Sequence, residues 1–127
     1  MFTHVMVGAN DPAQSFAFYD AALGALGISG QNMGERAFYA TPDGGAFSVG
    51  KPANGEAASH ANGGTIGFKA KDKAEVDAFH AAGIANGGSD EGAPGKRATA
   101  PGNAYGAYLR DPDGNKICAF CQLPEGE

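Results

Sequence analysis

The two cysteines are the residues of this 127-residue chain with the most obvious capacity for chemistry. Cys118 and Cys121 form the motif CAFC, whose spacing is typical of redox and zinc sites. The motif falls in a predicted strand, however, where residues three apart point to opposite faces and lie ~10 Å apart. That separation is too large for a disulfide bond. We therefore expect Cys121 to be buried against a helix, and Cys118 to be either a reactive thiol or an inert small residue of the sheet.

His4 is the histidine best placed for a functional role, at the start of the first predicted strand. A neutral imidazole there could bind a divalent metal or form a hydrogen bond with a ligand. A catalytic zinc ion needs three protein ligands, and only Cys118 offers a second soft donor, so the donor set is poor. His60 falls in a connector and His80 on a helix, where we expect a solvated residue and a packing residue respectively. No Ser-His-Asp or Cys-His arrangement is visible from the spacing.

The elements that must position these residues follow one another in the order strand, helix, hairpin. The stretch 3–8 is short and alternating, which predicts a strand. The stretch 10–28 predicts a helix, because Asp11 can cap it and large apolar residues recur along one stripe. Residues 36–51 predict a hairpin around the turn PDGG, and the Gly, Asn and Ala residues of 52–64 predict a connector.

The same order then begins again. Residues 65–70 predict a strand, 71–88 a helix capped by Asp72, and 103–121 a second hairpin around the turn DPDGN. A Gly- and Pro-rich stretch, 86–103, is predicted to be a longer loop before that hairpin.

This repetition indicates a duplicated module. An offset of 61 residues aligns Asp11 with Asp72, and an offset of 70 aligns Asp43 with Asp113, so helix caps and turns coincide. The second offset also aligns Ser48 with its counterpart in the last predicted strand. We therefore predict a single domain over residues 1–127, made of module 1 at about 1–51, the connector at 52–64 and module 2 at about 65–123.

Strand alternation predicts one sheet face that the helices leave uncovered. Each helix must cover the apolar side chains of one face, so the intervening residues point to the other. The mixture of aromatic, small and polar side chains there is typical of a small-molecule pocket rather than of a core. The predicted ligand-binding residues are His4, Met6, Phe38, Ser48, Thr65, Tyr108, Cys118 and Phe120. Lys96 and Arg97 of the long loop could attract an anionic group toward this face, or simply be solvated.

Two stretches carry a resemblance to a known family: HVMVGANDPAQSFAFYDAALGALGI near the start and GAYLRDPDGNKICAF near the end. On them the chain resembles the vicinal oxygen chelate superfamily, which includes glyoxalase I, extradiol dioxygenases, fosfomycin-modifying enzymes and bleomycin resistance proteins. The resemblance implies an α+β fold of two βαβββ modules that form an open, barrel-like mixed sheet, commonly in homodimers. It also implies four metal-ligand positions in the metal-dependent relatives, which here hold His4, Ser48, Thr65 and Cys118. Only His4 is a usual ligand of the family.

Three functional hypotheses follow. The first is a homodimeric, glyoxalase-like small-molecule-binding protein with a degenerate metal site and no cofactor, which sequesters a toxic or antibiotic compound. The alternative is a metal-dependent lyase or dioxygenase in which His4 and Cys118 hold a divalent metal. In the third, side chains fill the cavity and the domain serves only in dimerisation or in contact with a partner.

The composition argues against other classes of protein. The net charge is −5 and no basic cluster exceeds GKR at 95–97, so a phosphate-binding patch for nucleic acid is absent. No apolar stretch is long enough to span a bilayer, and the N-terminus lacks a signal-peptide pattern. We therefore expect a cytoplasmic protein with reduced cysteines, a small organic ligand and no membrane partner.

Overall fold

A computed structural model describes all residues from 1 to 127. The chain forms two helices and eight strands, and the order of these elements repeats once. In chain order they are β1 (His4–Gly8), α1 (Pro12–Gly24), β2 (Gly30–Asn32), β3 (Arg36–Ala40), β4 (Ala46–Gly50), β5 (Ile66–Lys69), α2 (Lys73–Ala85), β6 (Ser89–Lys96), β7 (Ala104–Arg110) and β8 (Lys116–Gln122).

The strands form two four-stranded mixed sheets and no closed barrel. The first sheet has the order β1-β4-β3-β2 and the second the order β5-β8-β7-β6. In each sheet the strand before the helix pairs in parallel with the last strand of its module, and the remaining pairs are antiparallel. This confirms the predicted α+β fold of two βαβββ modules.

Both helices begin at the predicted caps. The Asp11 carboxylate accepts a hydrogen bond from the backbone N–H of Gln14 at 3.4 Å, and the Asp72 carboxylate accepts one from Glu75 at 2.9 Å. The Glu75 carboxylate in turn accepts from the backbone N–H of Lys71 at 2.7 Å. The two Asp contacts each satisfy an N–H group that the first helical turn leaves without a partner, and the Glu75 contact ties the helix to the residue before its cap. The caps therefore fix where each helix starts above its sheet.

The prediction of a loop over 86–103 is wrong for eight of its residues, because Ser89–Lys96 forms β6. This strand pairs with β7 through a register that shifts between Asp90 and Gly92 and again between Gly92 and Gly95. Bulges of this kind accommodate Gly- and Pro-rich sequence that has low intrinsic strand propensity. Pairing with β7 therefore overrides local composition here.

One apolar core joins the two modules. It contains 20 buried residues drawn from both helices and both sheets. The Phe47 and Phe68 rings, one from each module, meet edge to face at 5.1 Å between centroids. Helix α1 also approaches α2 closely, since a Cβ added at Gly83 would lie 3.1 Å from the ring of Phe18. The modules therefore share their helix-facing sides as one packed unit.

Neither helix has the length and apolar character needed to cross a membrane.

Candidate functional site

The sheet faces divide as strand alternation predicts. Ile117, Ala119 and Cys121 of β8 belong to the buried core, whereas Cys118 does not. Ser48 is likewise buried but outside the core. We call the sheet surfaces that carry these two side chains the helix-free faces. The predicted burial of Cys121 against the helix side is confirmed.

The predicted cross-strand neighbours on the helix-free faces are also correct. In the first sheet Ser48 is paired with Phe38 on β3 and with Met6 on β1. In the second sheet Cys118 is paired with Tyr108 on β7. Directly paired residues of a sheet project to the same side, so each trio or pair forms one patch.

The eight predicted site residues form two groups, one on each sheet, rather than a single cluster. The first group is His4, Met6, Phe38 and Ser48, and the second is Thr65, Tyr108, Cys118 and Phe120, with Thr65 immediately before β5. Five main cavities indent the chain, and none of them is lined by members of both groups. Within one chain, each group therefore forms its own half-site.

The first group contains an unsatisfied polar atom. The Ser48 hydroxyl oxygen is buried and has no hydrogen-bond partner. Met6 beside it is 40% exposed, so the patch borders solvent. His4 is exposed at the start of β1, with its Nδ1 2.9 Å from the Thr3 hydroxyl oxygen. A buried hydroxyl without a partner costs free energy, and a bound ligand that supplied the partner would recover it.

The second group surrounds a buried thiol. Cys118 is 5% exposed, and burial raises its pKa to about 11, against the opposing influence of the Lys116 and Arg97 charges. The thiol is therefore protonated at neutral pH, which favours the prediction that Cys118 is an inert residue of the sheet over the prediction that it is a reactive thiol. The rings of Tyr108 and Phe120 meet edge to face beside it, 5.6 Å apart between centroids.

Two cations on this second face complete the patch. The Lys116 ammonium lies 4.9 Å from the centroid of the Tyr108 ring, and the Arg97 guanidinium carbon lies 5.6 Å from it. Lys116 was not among the predicted site residues, although its spacing of two from Cys118 in a strand places it on the same face. Arg97 was predicted either to attract an anionic group toward this face or to be a solvated loop charge, and its position beside Tyr108 was not predicted because β6 was missed.

A further cavity lies on the opposite, helix-facing side of the sheets and was not predicted. It has a volume of about 390 Å³ and contains mainly apolar side chains, among them Leu23, Leu26 and Phe68, with Asp43 and Lys69 also in its lining. It adjoins the shared core and contains no unsatisfied buried polar atom, since Ser48 is the only residue with one. We therefore place the candidate site on the helix-free faces, where the one buried polar atom without a partner, the Ser48 hydroxyl oxygen, lies.

The four positions that the resemblance assigns to metal ligands do not fit a divalent metal within the chain. They provide one exposed imidazole, two neutral hydroxyls and one buried, protonated thiol, from His4, Ser48, Thr65 and Cys118 respectively. A zinc-type site takes three strong donors, normally His, Cys thiolate or carboxylate. No group of three or more His, Cys, Asp or Glu side chains has the geometry to hold a metal ion.

The acidic residues of the RDPDGN turn hold the modules together instead. Asp111 is 4% exposed and accepts hydrogen bonds from the Tyr19 hydroxyl at 2.6 Å and from the Asn115 side-chain amide at 2.8 Å. Asp113 accepts from the backbone N–H of Asn10 at 3.0 Å and from the Ser15 hydroxyl at 3.1 Å. The motif is thus structural, and its conspicuous carboxylates are not free for chemistry.

This arrangement of two βαβββ modules agrees with a sequence-family comparison. The family model described as the Glyoxalase/Bleomycin resistance protein/Dioxygenase superfamily matches residues 1–119. The chain belongs to this superfamily. A search of curated proteins found no match.

Solved structures agree with this assignment. A glyoxalase/bleomycin resistance protein from Albidiferax ferrireducens T118 is 54% identical, with a TM-score of 0.88 over 98% of this chain and 99% of that one. A glyoxalase-related enzyme from Fulvimarina pelagi is 19% identical, with a TM-score of 0.74 over 94% of this chain and 86% of that one. A lactoylglutathione lyase from Agrobacterium tumefaciens is 24% identical, with a TM-score of 0.64 over 94% of this chain and 92% of that one. The two more distant structures establish the shared fold alone.

Proposed function

We propose that this superfamily member binds a small organic molecule on its helix-free faces without using a metal ion, and that it sequesters a toxic or antibiotic compound. The observation that carries the proposal is the donor chemistry at His4, Ser48, Thr65 and Cys118. One imidazole, two hydroxyls and a buried thiol can form hydrogen bonds with a ligand but are a poor set for a catalytic metal. The Ser48 hydroxyl, buried without a partner, supports a polar contact to the ligand.

A thermal-shift screen of chelator-treated protein against small metabolites and drugs tests ligand binding. A compound present at ~100 times its dissociation constant adds about 2.7 kcal/mol of stability, which such a screen detects. We expect at least one compound class to raise the melting temperature. The compound should then be recovered unchanged, by mass spectrometry, after prolonged incubation with the protein. Conversion into a product would instead favour the lyase or dioxygenase alternative.

Element analysis of untagged protein purified without chelator tests the metal question separately. We expect less than stoichiometric zinc, nickel, iron or manganese, because the chain offers too few strong donors. Stoichiometric metal in the wild type that is lost in His4→Ala would contradict the proposal. A Lys73→Ala variant, changed at an exposed helix residue, is the control for nonspecific loss during purification.

We also propose that the functional unit is a homodimer. Strands β1 and β5 lie at the ends of their sheets, so each leaves one edge unpaired. Exposed strand edges are sites at which a second chain can add. Apolar side chains at these edges are partly open to solvent, including Val5, Ile66 and Phe68, and Met6 is 40% exposed. Light scattering after gel filtration should give twice the chain mass, whereas a monomer at micromolar concentration would contradict it.

A further inference from the structure

We propose that the helix-free face of the second module binds the negatively charged group of the ligand, and that the ligand is a flat aromatic molecule carrying a carboxylate or a phosphate. The inference rests on the proposed function, since it names the chemical class of molecule bound at that same site. It depends on a positively charged aromatic surface built from β6, β7 and β8, which we call the Tyr108 platform and define by Arg97, Tyr108, Lys116 and Phe120.

All four platform residues are half-buried, and small neighbours in the sheet leave part of the surface open to solvent. One row of paired residues crosses the second sheet from β5 to β6: Gly67, Cys118, Tyr108 and Gly92. Tyr108 is the only large side chain in this row, so its ring is not covered by the paired residues on either side. Phe120 is adjacent, and Gly106 leaves room for it, since a Cβ there would lie 2.6 Å from the Phe120 ring. An aromatic ligand can pack against the accessible parts of these two rings.

Two cations flank the ring, and hydrogen bonds hold one of them, Arg97, in place. The Arg97 guanidinium donates hydrogen bonds to the carbonyl oxygens of Gly95 at 2.9 Å and Ala93 at 2.7 Å, which hold it against the Tyr108 ring. A Cβ at Gly92 would lie 3.1 Å from Tyr108 and 3.2 Å from the guanidinium, so glycine leaves the space that this stack occupies. The bulges and glycines of β6 therefore leave room for Arg97 beside the Tyr108 ring.

Both cations lack a carboxylate partner. The salt bridges of the chain include neither Arg97 nor Lys116. Of the two acids that act on them, Glu91 is bound to Arg110 at 3.1 Å and Asp90 to His80 at 2.8 Å. The platform is thus a region of unpaired positive charge in a chain whose net charge is −5. Such a region attracts an anion, and a guanidinium suits planar carboxylate or phosphate oxygens.

Lys69 extends this charge toward the sheet edge. It follows Gly67 by two residues in β5, and it lies with Phe120 along a groove of about 820 Å³. Lys71 lies along the same groove, which contains no acidic residue. A ligand packed against the platform could therefore extend along a groove whose lining contains two lysines and no carboxylate.

Three probes that share one ring system test the inference by isothermal titration at low salt: 2-naphthoate, 2-naphthyl phosphate and the neutral 2-naphthamide. We expect at least one anion to bind about tenfold more tightly than the amide, a difference of about 1.4 kcal/mol. Raising the salt concentration should weaken the anions and leave the amide unchanged. Tighter binding of naphthoate identifies a carboxylate ligand, and tighter binding of the phosphate identifies a phosphate ligand.

Charge variants test whether the platform residues cause this difference in affinity between the anions and the amide. Arg97→Gln and Lys116→Gln should each weaken anion binding several-fold without changing the amide, and Lys116→Arg should retain binding. The matched control is Lys73→Gln, because the Lys73 ammonium also lies beside a tyrosine, 5.3 Å from the ring of Tyr105. Tyr105 is three residues from Tyr108 in β7, so its side chain projects from the other face of the sheet. Circular dichroism of each variant checks that it is folded.

Equal binding of the amide and the anions would overturn the inference, as would unchanged anion affinity in both Gln variants or the absence of binding by all three probes. None of these results bears on whether the protein binds some other small molecule, which the compound screen decides. A screen that yields only neutral or cationic ligands would therefore remove the anion assignment and leave the proposed function intact.

Discussion

The two modules meet at two equivalent junctions. Hydrogen bonds close the first, which we call the sealed junction, and a cavity lies at the second, which we call the open junction. At the first junction the turn between β7 and β8 contacts the end of β1, where the Asn115 amide donates to the Gly8 carbonyl at 3.2 Å. At the second, the turn between β3 and β4 lies beside the end of β5, and Gly45 occupies the position equivalent to Asn115. The cavity of about 390 Å³ is lined by Gly45 and Lys69 there.

The helix residues that reach these turns have diverged in the same way. Tyr19 of α1 donates to Asp111 of the second module at 2.6 Å. Its counterpart His80 contacts Asp90 of its own module at 2.8 Å, and the counterpart of Asp111 is Thr41, whose hydroxyl donates to the nearby Gly44 carbonyl. Asp111 and Asn115 of the acidic RDPDGN turn thus serve the packing of the modules. The equivalent turn of the first module lacks that role; it keeps Asp43 but has Thr41 and Gly45 at those two positions.

The largest expected effect is at the sealed junction. Asp111→Ala should lower the free energy of unfolding by about 3 kcal/mol, because it removes the acceptor for Tyr19, for the Asn115 amide and for two backbone N–H groups in a buried position. Urea denaturation measures the change. The matched control, Thr41→Ala at the open junction, should cost about 1 kcal/mol or less. Equal losses at both positions would contradict the difference between the junctions.

A second large effect is expected at Cys118, which occupies in the second module the position that Ser48 has in the first. With Cys121→Ala leaving one cysteine, alkylation of Cys118 by iodoacetamide at pH 8 should be about 100-fold slower than for a thiol of ordinary pKa, because only the thiolate reacts and burial raises the Cys118 pKa to about 11. Mass spectrometry gives the rate. It should still be rising at pH 10, and a plateau at or below pH 9 would show that the thiol is not desolvated.

The same shift has a consequence for stability. The unfolded chain ionises this thiol near its ordinary pKa of 9.0, whereas the folded chain holds the proton up to about 11. The contribution of Cys118 to stability is therefore fully present below about pH 9 and is lost as the pH rises toward about 11.

The smallest effect is at the unsatisfied hydroxyl of the first module. Ser48→Ala should leave stability within about 1 kcal/mol, shifted toward greater stability, because it removes a buried hydroxyl without a partner. Ser15→Ala is the control, since the buried Ser15 hydroxyl donates to Asp113 at 3.1 Å, and its loss should destabilise by about 1 kcal/mol. A marked loss of stability in Ser48→Ala would mean that this hydroxyl has a structural role.

The sequence was sufficient to predict those features that depend on neighbours along one strand or across one turn. Alternation put Cys118 opposite Tyr108 and Ser48 opposite Phe38, because turn position and side-chain period together determine the register. Strand β6 was missed because its Gly- and Pro-rich sequence has low strand propensity and forms only by pairing with β7. The orientation of Arg97 could not be predicted without that strand.

Such sequence patterns could not predict how the two modules pack against each other. The cavity at the open junction depends on how β5 approaches the turn that contains Gly45, and strand alternation says nothing about that distance. The separation of the eight predicted site residues into two groups has the same origin, since alternation gives the side on which a residue projects but not where two sheets lie relative to each other.

The most direct test of ligand binding without metal is the dissociation constant of the tightest compound from the screen, measured before and after chelation of the same protein sample. We expect the two values to agree within twofold, because hydrogen bonds and aromatic contacts of the helix-free faces hold the compound. A loss of tenfold or more on chelation, reversed by adding back a divalent ion and absent in His4→Ala, would contradict the account.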